Sequence, residues 1–365
     1  MVAMRGFADV PATVERLLTA RARERVAVVL LDAFGRRFLE RHAQHPFLRR
    51  LAVSELTTQF PSSTTAHVTT LHTGRPVGEH GLYDRNVYEP ALDAIVTPLR
   101  FSFAGDGEPD TLAATGFEPE ALLDGDTLYR RLAAVGVAST VLQPAAFSPS
   151  TYDRVATAGA RLRPFETFEE GVALMFEALR EPGYAYLYWD RIDAVGHMHG
   201  PDSREFDTAV SAALDALEAG VRSVPGALLL VSADHGQVAV DRSRVDSLDE
   251  LWPELPRLLR GRPAGSARDL FLHTLPGAVA EVAAALAERL GGRAEVRPVA
   301  ELIATGAFGD AGSRLRARLA DVCVLPSAGR MACLRSAASA EQGFRGHHGG
   351  LHPDEIETWV GALEL

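Results

Sequence analysis

The apolar residues of this chain gather in short unbroken runs. RVAVVLLD ends at Asp32, YAYLYWDRID at Asp193 and ALLLVSAD at Asp234. Apolar, β-branched or aromatic runs without alternation mark strands covered on both faces, as in a parallel sheet. VASTVLQP, residues 137–144, predicts a further short strand. Between these runs the pattern changes to helical spacing, over 126–134, 168–179 and 207–221. Alternating strands and helices imply an α/β fold, a doubly wound and mostly parallel sheet flanked by helices. Beyond residue 245 the texture changes to a Pro/Arg/Gly stretch (RGRPAGSARD), the alanine-rich amphipathic segment AVAEVAAALAERL and two more short elements. The expected organisation is a catalytic core over 1–245, a smaller accessory α+β subdomain over 246–330, and a C-terminal return to the core over 331–365.

In open sheets of this kind chemistry sits outside the carboxyl ends of the strands. Each of the three long runs leads into an aspartate there. One such residue is equally well a helix cap; three on one sheet edge point to a site. The histidines add to it. His197 lies four residues after Asp193, His235 follows Asp234, and His347 and His348 sit in GHHGG. Carboxylate oxygens and imidazole nitrogens are the ligand set of zinc and of borderline divalent ions generally. Neither D-x-x-x-H nor DHG is specific alone, because residues four apart share a helix face by default. With Asp32 and one of the late histidines they make three aspartates and three histidines. That number suits two metals in one cleft, each with about three protein ligands and an open position. Two divalent ions roughly 3.5–4 Å apart form the clamp used for in-line displacement at phosphorus.

The fragment FPSSTTAHVTTLHTG, residues 60–74, concentrates hydroxyls beside these candidates. TTAHVTTLH predicts the start of a helix, with the following Thr-Gly as its stop. A threonine oxygen beside a divalent cation loses its proton far more readily than a free hydroxyl. At a helix start it also faces unpaired backbone N–H groups and the positive end of the dipole. Serine and threonine are equally the preferred helix caps, so Ser62, Ser63 and Thr64 are open to a capping role as well.

Composition then removes function classes. The 365 residues carry a net charge of −11, which argues against a nonspecific binder of nucleic acid or anionic membrane. All 37 basic residues are arginine. Without lysine, a Walker A phosphate loop, a Schiff base and a pyridoxal phosphate site are excluded. The wealth of Ala, Arg, Gly and Val suggests a GC-rich bacterial genome. Cys323 and Cys333 are too few for a disulfide framework or a four-cysteine zinc site. The N-terminal segment lacks the pattern of a signal peptide, and no run approaches the ~18 apolar residues needed to span a bilayer. A cytoplasmic location is the expectation.

The succession LDAFG, FPSSTTAHVTTLHTGRPVGEHGLYDRN, YWDRIDAVGHMHGP, SADHG and HHGG resembles the alkaline phosphatase superfamily, and within it the type I phosphodiesterase/nucleotide pyrophosphatase branch. The likeness is collinear from Val26 to His352, so it spans nearly the whole chain. It implies a two-zinc phosphoryl-transfer site, with Asp32, Thr64, Asp234 and His235 on one ion and Asp193, His197 and His348 on the other. Thr64 corresponds to the nucleophile, three residues after Pro61 and nine before Thr73-Gly74; Thr65 is the neighbouring rival. His348 is preferred to His347 because the family's ligand directly precedes a glycine. Members acting on nucleotides often carry an asparagine after the nucleophile that donates to the phosphate. Here the only asparagine is Asn86, and His67 stands at the nearby helix position. Thr65, His67 and Asn86 are the candidate substrate contacts. The lysine often found before the nucleophile is replaced by Ser63. Residues 266–326 resemble the accessory portion of bacterial members, which makes Arg268 and His273 candidates for a substrate contact or a structural role. His80, His199 and His352 are supporting or loop histidines, and His42 and His45 carry no functional signal.

The resulting expectation is a hydrolase with two divalent ions, zinc first, cleaving phosphodiester or pyrophosphate bonds of a small phosphate ester, nucleotides included, through a covalent threonine intermediate. The same scaffold also serves phosphonate hydrolases and phosphomonoesterases. A large apolar or aromatic face would favour a nucleoside or aryl diester, and a tight arginine-lined pocket a small monoester or phosphonate. A metal-stabilised binding protein that has lost catalysis would lack a ligand or the nucleophile, and neither is missing.

Overall fold

The computed structural model describes residues 4–335 and 340–365; residues 1–3 of the N-terminal segment and 336–339 lie outside it. Seven strands form the main sheet: β1 (Arg25–Leu31), β2 (Ala52–Thr57), β3 (Ala138–Pro144), β4 (Arg161–Phe165), β5 (Gly183–Trp189), β6 (Ala227–Ser232) and β7 (Glu357–Glu364). Their order is β2-β7-β6-β1-β5-β3-β4. The neighbours from β6 to β4 pair in parallel, whereas β7 runs antiparallel to both β6 and β2. The sheet is thus the mostly parallel one that the unbroken apolar runs imply.

β1 lies at the centre, and its alternate residues feed two cores. Ala27, Val29 and Leu31 pack with Phe34 and Phe38 and with the helices Phe168–Ala178 and Arg204–Gly220. Val26, Val28 and Leu30 face Tyr184 and Tyr186 and the helices Asp9–Thr19, Thr64–Thr73 and Leu128–Ala134. Burial of each of the valine, leucine and phenylalanine side chains contributes about 1.5–3 kcal/mol, so a polar substitution on either face of β1 is disfavoured. With both faces sealed, the ends of β1 and β6 are where polar residues can gather.

One boundary differs from the sequence expectation. The run ending at Asp193 is a strand only to Trp189; Arg191–His199 is a helix, with Asp193 in its first turn. The i,i+4 placement of Asp193 and His197 on one helix face decides the geometry there.

A four-stranded antiparallel sheet occupies part of 246–330, in the order 264–266, 269–272, 322–326, 294–298. The helix Val279–Leu290 covers it with Val282, Leu286 and Leu290. A three-stranded sheet that the apolar pattern does not announce (87–89, 94–97 and 102–103) follows the helix Thr64–Thr73. Phe60, Tyr83, Val87 and Val96 share one apolar core with Phe271, Leu302 and Phe308, so this insertion and the accessory sheet pack as one body over the end of the main sheet. Among the described residues no helix is long and apolar enough to cross a membrane.

Candidate active site

Asp32 follows β1 directly, and Asp234-His235 lies just beyond β6, its parallel partner. Two glycines let these turns touch. A Cβ on Gly35 would stand 2.6 Å from the Gly236 Cα, and one on Gly236 would stand 2.1 Å from the Asp354 carbonyl oxygen. The glycines of LDAFG and DHG are therefore required by close backbone approach. The Ala33 and His235 amides donate to Asp234 Oδ1 at 3.1 and 3.0 Å, which fixes that carboxylate. Its other oxygen is buried and accepts no hydrogen bond among the described residues. His235 Nε2 lies 3.5 Å from Asp32 Oδ1 and from Asp234 Oδ2.

Thr64 opens the helix that ends at Gly74. Its Oγ1 lies 3.4 Å from both Asp32 carboxylate oxygens and 3.2 Å from His235 Nε2. Ser63 occupies the cap position, yet its hydroxyl makes no cap bond and donates to Asp84 Oδ1. Ser62 donates to the Gly350 carbonyl and accepts from the Gly349 amide, and its own carbonyl accepts from His348 Nδ1 at 2.7 Å. Ser62 thus fastens the histidine loop to the turn before Thr64, and Ser63 ties that turn to Asp84 instead of capping the helix with its side chain. The remaining hydroxyls are internal: Thr69 meets Tyr152, Thr70 donates to the Ala66 carbonyl and Thr73 to that of Thr69.

The second group adjoins the first through Asp193. Asp193 Oδ2 lies 3.2 Å from His197 Nε2, and Oδ1 lies 3.5 Å from His348 Nε2. His197 Nδ1 bonds the Gly346 carbonyl at 2.8 Å. With His348 Nδ1 on Ser62, both rings turn Nε2 inward, the arrangement in which an anchored imidazole presents a free lone pair to a metal. The His235 and His348 rings stack at 3.8 Å. Two sets, Asp193/His197/His348 and Asp32/Asp193/His235, bring their donor atoms within 4.8 Å of one another.

Charge makes the case for cations. Burial, together with Asp234 and Asp193, pushes the Asp32 carboxyl well above its usual range. Burial raises Asp234 to about 7. Asp193 is driven the other way: burial opposes its charge, but the adjacent His197, itself raised by that carboxylate, holds it below the ordinary value. Burial lowers His235 strongly and His348 to about 4, so both rings are neutral and able to ligate. Three converging buried carboxylates, one with an orphaned oxygen, form a charge cluster that divalent ions neutralise. The donor set therefore fits two such ions.

The other candidate residues divide clearly. Thr65 lines the same cavity as Thr64, a space of about 290 Å³. His67 does not reach it as a donor. Its Nδ1 bonds the Ser63 carbonyl at 2.6 Å, its Nε2 accepts from the Gln59 amide at 3.0 Å, and burial lowers it to about 3. Asn86 is likewise engaged, donating to the Gly265 carbonyl at 3.0 Å and accepting from Thr97 at 2.9 Å. Its neighbour Arg85 lines the Thr64 cavity instead. Arg268 is structural: buried, it forks onto Glu355 at 3.1 and 2.8 Å, and Glu355 holds the Gly350 amide. His273 is buried against Tyr88. His347 points at Glu341 rather than Asp193. His80 bonds Thr70, His352 caps the helix Pro353–Ile356, His199 is exposed, and His42 and His45 make surface contacts.

Three residues in contact with the site escape sequence reasoning. The Tyr188 hydroxyl donates to Asp32 Oδ2. Gln237 donates to Asp193 Oδ1 at 2.5 Å, seated where a side chain on Gly196 would collide with it. Arg85 is the third. Tyr188 carried a signal, as the last tyrosine of YAYLY on one strand face; Gln237 and Arg85 carried none.

Comparisons with known proteins agree with this picture. The sequence model of the type I phosphodiesterase / nucleotide pyrophosphatase family matches residues 26–351. Murine ectonucleotide pyrophosphatase/phosphodiesterase 5 superposes with a TM-score of 0.72 at 18% identity, covering 92% of this chain and 87% of that one. The murine protein as an inactive threonine-to-alanine variant in complex with AMP gives 0.71, again at 18% identity, with 93% and 87% covered. The human counterpart gives 0.69 at 16% identity, with 92% and 87% covered. At these identities the likeness shows the fold. No curated protein matches the sequence.

Proposed function

The chain belongs to the type I phosphodiesterase/nucleotide pyrophosphatase family, a family of hydrolases within the alkaline phosphatase superfamily, and we propose that it cleaves phosphate esters through a covalent intermediate on Thr64. The observation that carries this reading is the placement of Thr64 Oγ1. It stands at a helix N-terminus, 3.4 Å from both oxygens of a buried carboxylate and 3.2 Å from an inward-facing imidazole nitrogen.

In this reading Asp32, Thr64, Asp234 and His235 hold one divalent ion and Asp193, His197 and His348 the other, with zinc the first choice for such donors. Bound there, the ions would lower the proton affinity of a hydroxyl oxygen and neutralise charge on the phosphoryl oxygens. Thr64 Oγ1 attacks phosphorus in line. The new Thr64–O–P bond forms as the P–O bond to the leaving alcohol or phosphate breaks, and water then cleaves the phosphothreonine to restore the hydroxyl. The helix N-terminus favours the negative charge of the phosphoryl group. Tyr188 and Gln237 orient the Asp32 and Asp193 carboxylates. AMP in the murine neighbour supports a nucleotide-type or other small phosphate ester as the substrate. The arginine beside Thr64 gives separate support to a monoester or phosphonate with a small charged group.

Thr64→Ala is expected to keep its metal content and lose turnover of nitrophenyl phosphate esters by roughly three orders of magnitude or more. Near-normal kinetics in that variant sink the assignment, as does full activity of the wild type after exhaustive chelation.

A further inference from the structure

The Thr64 cavity does not end at the ligand groups. A second cavity of about 330 Å³ adjoins it, and the two share Arg85, Thr97, Arg100, Ser266 and Glu341 in their walls. Arg262 lines the far side of the second space, its guanidinium lying against Gly105. Three arginines therefore line the two adjoining cavities, in a chain with net charge −11. Arg85 lies 3.4 Å from Glu341, which His347 also approaches at 3.5 Å. Arg100 donates to the Gly107 carbonyl. Neither Arg100 nor Arg262 ion-pairs with a carboxylate among the described residues, although Asp106 also lines this space. No aromatic ring lines the second cavity among the described residues.

Resting on the phosphoryl-transfer reading above, we propose that this second cavity is a subsite for a second anionic group of the substrate, a carboxylate or a phosphate, held by Arg100 and Arg262 while Arg85 bridges toward the phosphoryl group at Thr64. Guanidinium forks match the planar geometry of carboxylate and the oxygens of phosphate, and bind both more strongly than neutral acceptors. The volume leaves room for a second anionic group beside the reacting phosphorus, and the arginine lining, rather than the space, points to phosphorylated acids or bisphosphates. It also accounts for what Asn86 and His67 leave undone. Both are engaged elsewhere, and the cationic contact on the open side of Thr64 falls to Arg85.

The test is calorimetric titration of the metal-loaded Thr64→Ala protein, which cannot consume its ligand, with ethyl phosphate, phosphoglycolate and ethylene glycol bisphosphate. The expected result is at least about tenfold tighter binding when a second anion is present, the arm that gains more identifying carboxylate or phosphate. In Arg100→Gln/Arg262→Gln on the same background the ratio falls to roughly one, and Arg262→Glu, a change at an exposed side chain, reverses its sign. Equal binding of all three ligands by the parent, or a ratio that survives in the double variant, overturns the subsite. Turnover of nitrophenyl esters by the wild type is measured in parallel. Turnover with a ratio of one removes the subsite alone, whereas absence of any chelator-sensitive turnover removes the phosphoryl-transfer reading and the subsite with it.

Discussion

The two candidate ligand groups differ in what holds them. Asp32, Asp234 and His235 stand at the ends of two central strands that pair in register over residues 25–30, and all three are 0–1% exposed. Asp193 and His197 ride on a nine-residue helix, His348 comes from a late loop, and their side chains are 12–15% exposed. The first group is fixed by the sheet. The second is assembled from outlying segments by backbone hydrogen bonds, with the Arg345 amide on the His197 carbonyl, His197 on Gly346 and His348 on Ser62. Equivalent chemistry can thus rest on unequal mechanical support, and perturbation of the two groups should reveal it.

The largest contrast is expected from the ligands themselves. Asp234→Asn removes a sheet-borne donor beside Thr64, and turnover should fall by about three orders of magnitude without recovery in excess metal. His348→Ala should lose about a hundredfold and recover in part at high zinc, because Asp193 and His197 remain to rebind the ion. Metal content by mass spectrometry and turnover across a zinc titration check both. Identical behaviour of the two variants would break the distinction between sheet-borne and loop-borne ligands.

A smaller effect is expected at a distance. Arg268 and Glu355 are both buried and bidentate, and Glu355 also accepts from the Gly350 amide in the loop of His348. Arg268→Ala strands a buried carboxylate, a loss of about 3–5 kcal/mol in stability. Because Glu355 braces the late loop, metal affinity at Asp193/His197/His348 should fall about tenfold while the Asp32/Asp234/His235 ion is kept. Denaturant unfolding and metal competition measure the two quantities separately. Equal weakening of both ions would show that the brace is not specific to the loop.

The same contrast governs how much of the site could be foreseen. The strand-end aspartates were legible because strands covered on both faces leave polar residues only at their tips, and RVAVVLLD and ALLLVSAD have no other place for one. Thr64 was legible as a likeness of order and spacing, not from its own composition, since five threonines share that fragment. Asp193 lies beyond the strand end, although YAYLYW runs straight into RID, and only the i,i+4 pairing with His197 reveals a helix there. The insertion over 87–103 gave no apolar signal, because its short strands are covered largely by the accessory sheet rather than by one another. Asn86 is one of three candidate substrate contacts, with Thr65 and His67, and as the only asparagine it carries the amide that the resemblance asks for. The fold instead uses its amide to tie two loops and turns Arg85 into the cavity, a choice made by tertiary packing that no spacing records.

The smallest expected effect separates the back of the helix Thr64–Thr73 from both candidate ligand groups. His67 and His72 are buried in it, each lowered to about 3 by burial, and His72 Nδ1 bonds the Tyr129 hydroxyl at 2.8 Å. Folded, these rings stay neutral down to about pH 3, whereas in the unfolded chain they take up protons below the ordinary histidine value of 6.5. Below pH 6.5 the unfolded state therefore binds more protons, so their contribution is complete above that pH and declines as the pH falls toward 3. The slope is about 1.4 kcal/mol per pH unit for each histidine. His72→Phe removes one of the two, and its unfolding free energy, followed by denaturant titration between pH 6.5 and 4.5, should depend on pH less steeply than that of the wild type by about one proton. The buried carboxyls Asp84 and Asp269, raised chiefly by burial, titrate with the opposite sign but are common to both proteins, so the difference isolates His72. An unchanged slope would mean that His72 is protonated in the folded helix, and the neutral packing that holds Thr64 against Asp32 would then need another account.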